Sequence, residues 1–178
     1  MDCSTTLEHI IQACQKKGLN CIAIADHGAI EGALKMKAIA PFYVVVAEEI
    51  LTTSGEIMGM FLRELVPSGL SMEESIQRIK AQGGLLCAQH PFDKVRQDSL
   101  KAETMDKIAD QIDLVEVFNS RSPLLRSSNQ ALKFAREHHL PGCAGSDAHG
   151  ANGGERRVRC NERQPGAFQR NVLVFGRV

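Results

Sequence analysis

The sequence predicts an α/β fold with a mostly parallel sheet, and two observations favour it. Short apolar runs alternate with segments whose apolar residues recur at helical spacing, which is typical of βα units. The apolar runs are continuous, so both faces of the sheet are expected to be covered. A (β/α) barrel and an open doubly wound sheet both satisfy this pattern. The length of 178 residues fits one domain.

Capping residues, glycines and prolines mark where the predicted elements begin and end. Thr5-x-x-Glu8 and Ser71-x-x-Glu74 have the spacing of capping boxes, which begin helices. The first half is predicted to contain, in order, a helix between Thr5 and Gly18, a strand at 21–25, a helix at 31–40 stopped before Pro41, a strand at 42–47 and a hairpin of 50–53 with 56–62. The second half is predicted to contain a helix between Ser71 and Gly83, a strand at 85–89, a helix at 104–111, a strand at 114–118, a helix at 128–138 and a strand at 142–145.

The composition argues against several classes of protein. Lys plus Arg (21) equals Asp plus Glu (21), so net charge does not drive nucleic-acid binding, although a local patch stays open. No apolar run approaches the roughly 20 residues of a membrane helix, and the N-terminus lacks the pattern of a signal peptide. The six cysteines form no C-x-x-C pair, which favours reduced thiols over a cysteine zinc site. We therefore expect a cytoplasmic protein that does not bind a membrane.

Side chains that bind metals or protons follow the predicted strands one after another. Because the carboxyl ends of parallel strands form the functional face of α/β folds, these side chains meet in one cup if the sheet closes. Nitrogen and oxygen ligands without thiolate suit Zn, Mn or Fe, and a carboxylate can bridge two ions. The residues in question are Asp26, His27, Glu48, Glu49, His90, Asn119, Asp147 and His149.

Each of these residues, taken singly, has a structural interpretation as well. An Asp-His pair after a strand is typical of a turn or cap, and His90 before Pro91 suits a core histidine. His138 and His139, at the end of a predicted helix, indicate surface groups that complement the helix dipole. Ser146 as the nucleophile of an Asp/His hydrolase is a weaker alternative, because the glycine-flanked elbow is missing. The joint pattern therefore carries the prediction of a metal site.

Five segments of the chain resemble the PHP (polymerase and histidinol phosphatase) superfamily. The resemblance implies a distorted (β/α)7 barrel with two or three divalent metal ions at the C-terminal face of the strands. Relatives of this kind are mostly phosphoesterases, which act through a metal-bound hydroxide. The matching segments, in family order over about residues 2–149, are AIADHGAIEGALKMK, VVVAEEILTTSGEIMGMFL, GGLLCAQHPFDKVR, LVEVFNSR and LPGCAGSDAHG.

The resemblance also implies roles for individual residues. Glu49 corresponds to the glutamate that bridges two metals, and Glu49, His90 and Asp147 would carry catalysis. Arg96 and Arg121 are candidates for holding the substrate phosphate, a role that guanidinium geometry suits. The substrate would be a small phosphorylated compound or a nucleotide. The implied metal ligands are Asp2, His27, Glu49, Glu56, His90, Asn119, Asp147 and His149.

Two features depart from the family pattern. The family opens with an H-x-H strand that supplies two metal ligands, and this strand would lie ahead of Met1. We therefore expect an incomplete barrel with unpaired edges beside the missing strand, fewer metal ions and impaired activity. A catalytically silent domain that binds metal or a partner is the alternative function.

The second departure is the C-terminal segment. Residues 150–178 contain six Arg, no Lys and two acidic residues, and only 171–175 (NVLVF) is predicted as a strand, so the last unit of the barrel is doubtful. We divide the chain into a PHP-like barrel domain at 1–149 and an Arg-rich tail at 150–178 that is frame-shifted or disordered. The alternative is a basic tail that contacts nucleic acid or phosphate.

Overall fold

The computed structural model of this protein describes residues 6–122, 125–147 and 173–176. Within these ranges the chain forms five helices and seven strands. The helices are α1 (Leu7–Lys16), α2 (Glu31–Ile39), α3 (Met72–Ala81), α4 (Ala102–Lys107) and α5 (Leu125–Glu137). The strands are β1 (Cys21–His27), β2 (Tyr43–Thr52), β3 (Gly55–Met60), β4 (Leu85–Ala88), β5 (Leu114–Asn119), β6 (Gly142–Gly145) and β7 (Leu173–Gly176).

The seven strands form a closed barrel in chain order, which confirms the predicted α/β barrel class. Neighbouring strands are parallel except β3, which is antiparallel to both β2 and β4 and so distorts the barrel. The hairpin predicted around Ser54-Gly55 joins β2 to β3.

The barrel is closed by β7. This strand pairs in parallel with β1, from Ile22 to Ala25, and with β6 through Gly145 and Val174. It overlaps the strand predicted at 171–175 over residues 173–175. The edges of β1 and β6, expected to be open beside a missing first strand, are therefore paired with β7 in this structure.

Side chains on the strands alternate between two apolar clusters. The larger cluster contains strand residues such as Ile24 and Leu86 together with helix residues such as Met36 and Ile79, so it lies between the sheet and the helices. The smaller cluster contains residues of the strands with Phe61 just after β3, and it therefore fills the barrel interior. Its buried members are Ala23, Ala25, Val45, Ala47, Met58, Met60 and Cys87.

Several predicted element boundaries shift in the structure, and two of these shifts have a clear physical reason. The Thr5 capping box is wrong by one residue, because Thr6 caps α1 and accepts a hydrogen bond from the backbone N–H of His9. The strand predicted to end before Glu48 runs on to Thr52, because β2 pairs with β1 on one side and with β3 on the other. Glu49 therefore lies within a strand and not after its end. The Ser71 capping box is confirmed by the hydrogen bond that its Oγ accepts from Glu74 N at 3.1 Å.

The cysteines that the structure describes are Cys14, Cys21, Cys87 and Cys143, and all four are free thiols. Cys87 and Cys143 face each other inside the barrel with their sulfur atoms 3.8 Å apart. Burial raises the pKa of the Cys14 thiol to about 11. Among the helices of the described ranges, none is both long enough and apolar enough to cross a membrane.

Candidate metal centre

His27, Glu49 and Glu56 meet at one end of the barrel. His27 follows the interior residue Ala25 by two positions on β1, and its register partner on β2 is Glu49. The imidazole Nε2 of His27 lies 3.1 Å from Glu49 Oε2. The turn from β2 into β3 brings Glu56 to the same place, with its Oε1 2.7 Å from His27 Nδ1.

These three side chains have the geometry of a metal site. One ligand atom from each of His27, Glu49 and Glu56 lies within 4.8 Å of the other two. Glu49 is 6% exposed and Glu56 is 1% exposed, and two buried carboxylates side by side are destabilising unless a positive charge lies nearby or one of them takes up a proton. Both nitrogens of His27 face carboxylate oxygens of this pair. A cation bound between these side chains would supply a positive charge next to both carboxylates.

The two carboxylates differ in their affinity for protons. Burial raises the pKa of Glu49 to about 7, and the negative charge of Glu56 adds to this effect. Burial also acts on Glu56, but the hydrogen bond from His27 and the proximity of His90 outweigh it and lower the pKa of Glu56 to about 2. Glu56 therefore stays ionised across the physiological range, while Glu49 exchanges its proton near neutral pH.

His90 enters the site from a strained turn after β4. Its φ of +31° is unusual for a residue with a side chain, and two hydrogen bonds hold this backbone in place. The backbone N–H of His90 donates to Glu116 Oε2 at 2.6 Å, and its carbonyl accepts from Ser99 Oγ at 2.8 Å. The imidazole Nε2 is thereby held 3.5 Å from Glu56 Oε2.

The polar atoms around His90 favour a bound ion. Neither ring nitrogen of His90, nor Glu56 Oε2, has a hydrogen-bond partner among the described residues, although all three atoms are fully buried. Buried polar atoms are almost always hydrogen-bonded unless an ion or a water molecule satisfies them. Imidazole nitrogens and carboxylate oxygens are ligand atoms that commonly bind Zn, Mn and Fe ions. The residues present therefore fit a divalent metal ion.

A second polar group surrounds Asp147 beside the first. Asp147 Oδ2 accepts a hydrogen bond from Asn119 Nδ2 at 3.3 Å and forms an ion pair with the Arg96 guanidinium. Arg121 Nη1 lies 3.9 Å from the other carboxylate oxygen, Oδ1. Asp147 itself adopts a φ of +48°. The two arginines expected to hold phosphate thus face a carboxylate that the resemblance implies to be a metal ligand.

Glu116 joins the two groups, and sequence reasoning did not identify it. It lies on β5 and is 5% exposed, and its Oε2 accepts from His90 N and, at 3.1 Å, from Asn119 Nδ2. Burial raises the pKa of Glu116, although His90 and Asn119 act in the opposite direction. The only signal in the sequence is one acidic residue inside the apolar run LVEVF.

The described residues that were predicted as ligands or phosphate contacts thus form two neighbouring groups. Asp2 and His149 lie outside the described residues. That the residues of these two groups bind a metal ion or phosphate remains a prediction. The first group is His27, Glu49, Glu56 and His90, and the second is Asn119, Asp147, Arg96 and Arg121.

A family model and two proteins of similar sequence match this chain. A family model described as PHP-associated matches residues 126–152. The uncharacterised protein MJ1587 of Methanocaldococcus jannaschii is 44% identical over 116 residues, which cover 63% of this chain and 65% of that protein. The uncharacterised protein MJ0417 of the same organism is 35% identical over 139 residues, which cover 76% of this chain and 55% of that protein. The chain therefore spans less than two thirds of the length of either relative.

Comparison with solved structures finds the same fold. An inferred metal-dependent phosphoesterase from Bifidobacterium adolescentis superposes with a TM-score of 0.69 at 18% identity, covering 88% of this chain and 86% of that one. A two-domain protein from Bacteroides vulgatus, containing a predicted PHP-like metal-dependent phosphoesterase, superposes with a TM-score of 0.65 at 14% identity. That match covers 85% of this chain and 49% of the other chain.

Proposed function

We propose that this chain is a member of the PHP superfamily and that it hydrolyses a phosphate ester of a small molecule or nucleotide with the help of divalent metal ions. The observation that carries the proposal is the convergence of His27, Glu49 and Glu56, whose ligand atoms lie within 4.8 Å of one another. The similar structures, which are inferred or predicted metal-dependent phosphoesterases, support the reaction class.

The four residues of the first group would hold the metal. Bound there, a divalent ion supplies the Lewis acidity that activates water near neutral pH and neutralises phosphate oxygens. Glu49 and Glu56 contribute the negative charge that favours a cation at a site this buried. The imidazole of His90 contributes a nitrogen ligand. Glu116 holds His90 in position by accepting a hydrogen bond from its backbone N–H.

Arg96 and Arg121 would bind the phosphate of the substrate. Guanidinium groups donate two parallel hydrogen bonds to phosphate oxygens, which both orients and attracts an anion. Both arginines already converge on Asp147, and Arg96 also lies 4.0 Å from Asp93. These carboxylates fix the positions of the two guanidinium groups, and a phosphate bound there would lie beside the metal ion.

A second candidate function is metal binding without turnover. The ion pair between Arg96 and Asp147 favours it, because a carboxylate neutralised by arginine is a weaker ligand for a metal ion. A metal centre without Asp147 as a strong ligand can still bind an ion while hydrolysing phosphate esters slowly or not at all.

Phosphate release from an aryl phosphate distinguishes the two functions. With added Mn²⁺ or Zn²⁺, the wild-type protein is expected to hydrolyse 4-nitrophenyl phosphate, and His90→Ala to lower kcat/KM by roughly 100-fold or more. The matched control is His9→Ala, which removes an exposed histidine of α1 and should leave the rate unchanged. Metal binding without phosphate release would favour the silent domain, and equal rates for His90→Ala and wild type would reject this site as the source of the activity.

A further inference from the structure

Gln89 is a buried side chain whose hydrogen-bonding capacity is unused within the part of the chain that the structure describes. It is 1% exposed, and neither its amide nitrogen Nε2 nor its carbonyl oxygen Oε1 has a hydrogen-bond partner among the described residues. A buried carboxamide without partners destabilises a fold, so its presence calls for a specific explanation. A ligand of the site is one such explanation.

The alternation of β4 directs Gln89 into the barrel. Leu85 and Cys87 belong to the interior cluster, whereas Leu86 and Ala88 belong to the cluster between sheet and helices. Gln89 directly follows the last residue of β4, and continuing the alternation of the strand places its side chain on the interior side, above Cys87. It therefore lies at the end of the barrel interior that carries the metal centre.

The neighbours of Gln89 belong to that centre. The register of β4 with β5 ends with Ala88 opposite Val115, and continuing it by one residue places Gln89, just after β4, beside Glu116 on β5. His90 follows Gln89 directly, and its Nε2 lies 3.5 Å from Glu56 Oε2. In the same group, three further buried atoms lack a hydrogen-bond partner among the described residues: both ring nitrogens of His90 and Glu56 Oε2.

A second buried glutamine provides the contrast. Gln82, at the end of α3, is 8% exposed, and its Oε1 accepts hydrogen bonds from the backbone N–H groups of Arg63 and Glu64 at 2.8 and 3.0 Å. Its carboxamide thus has a structural role in holding the loop after β3. Gln89 has no such contact within the described part of the chain.

We propose that Gln89 is a further binding residue of the metal centre, whose Nε2 donates a hydrogen bond to an oxygen atom that enters with the metal ion. That oxygen belongs to a water molecule or to a phosphate group, because both present a lone pair to an amide N–H. This inference rests on the metal-binding part of the proposed function. The proposed hydrogen bond would offset the free energy that it costs to bury the Gln89 carboxamide.

The test compares Gln89→Met with Gln82→Met, since methionine keeps the length of glutamine and removes both polar atoms. Three quantities are measured for each variant and for wild type. They are the Tm of the metal-free protein, the Kd for Mn²⁺ by titration calorimetry, and the Kd for inorganic phosphate in the presence of saturating Mn²⁺.

For Gln89→Met, we expect an unchanged or higher Tm, because an unsatisfied carboxamide is removed, together with a loss of about tenfold in affinity. A loss already present in the Mn²⁺ titration identifies water as the ligand, and a loss confined to the phosphate titration identifies phosphate. For Gln82→Met, we expect a lower Tm with both affinities unchanged, because only the loop contacts are lost.

Two results for Gln89→Met would overturn the inference while leaving the proposed function intact. One is a pair of affinities within about twofold of wild type, and the other is a fall in Tm as large as that of Gln82→Met. Failure of the wild-type protein to bind Mn²⁺ would instead reject the metal-binding function itself, and the inference with it.

Discussion

Replacing Glu56 by Gln is expected to lower the affinity of the protein for Mn²⁺ by at least about 100-fold. Removing a residue that only orients a metal ligand lowers metal affinity by about 10- to 100-fold, and removing the ligand itself should lower it further. Glu56 is 1% exposed and faces both His27 and His90, so its carboxylate supplies charge that water cannot replace. The amide of glutamine has nearly the same shape and no charge. Titration calorimetry with MnCl₂ measures the change.

Glu48→Gln is the matched control for this substitution. Glu48 is also fully buried, but it belongs to the outer face of β2, and its Oε2 accepts a hydrogen bond from Val66 N at 2.9 Å. The carbonyl of glutamine can keep that bond, so the affinity for Mn²⁺ should stay within about twofold of wild type. Equal losses in the two variants would mean that buried charge in general, and not a ligand at Glu56, governs metal binding.

Replacing Glu116 by Leu is expected to lower the free energy of unfolding by about 2 kcal/mol and the Mn²⁺ affinity by about 10- to 100-fold. The stability loss arises because His90 N loses its acceptor while remaining buried. The affinity loss arises because the left-handed turn at His90 is no longer held, so the imidazole leaves its position. Chemical denaturation and calorimetry measure the two effects.

Glu116→Gln separates positioning from charge. The carbonyl oxygen of glutamine still accepts from His90 N and Asn119 Nδ2, so stability and affinity should both return close to the wild-type values. If the Gln variant binds Mn²⁺ as weakly as the Leu variant, the charge of Glu116 matters and its role in positioning His90 is wrong.

Much of the fold could be predicted because the apolar runs and the capping residues are local signals. The parallel order then predicted that His27, Glu49, His90 and Asp147 would gather at one end of the barrel. The location of β7 between β1 and β6 could not be predicted, because strand pairing between distant segments leaves no local pattern. For the same reason the strand predicted to stop before Glu48 continues to Thr52, where it pairs with β3.

The polar residues inside the barrel were harder to predict than those at strand ends. Glu116 and Gln89 each stand in or beside an apolar run, and the sequence does not say which side of the strand faces the interior. The interior face of each strand can be identified only from the structure, in which the helices cover the opposite face. The ion pair of Arg96 with Asp147 joins residues 51 positions apart, and its formation depends on the course of the loop after β4.

Anomalous scattering from crystals grown with ZnCl₂ tests most directly whether the barrel end holds a metal centre. Data collected above the zinc absorption edge should show a peak about 2.0–2.2 Å from the ligand atoms of His27, Glu49 and Glu56. A zinc peak located only elsewhere on the molecule, or none at saturating zinc, would contradict the metal centre and the hydrolytic function built on it.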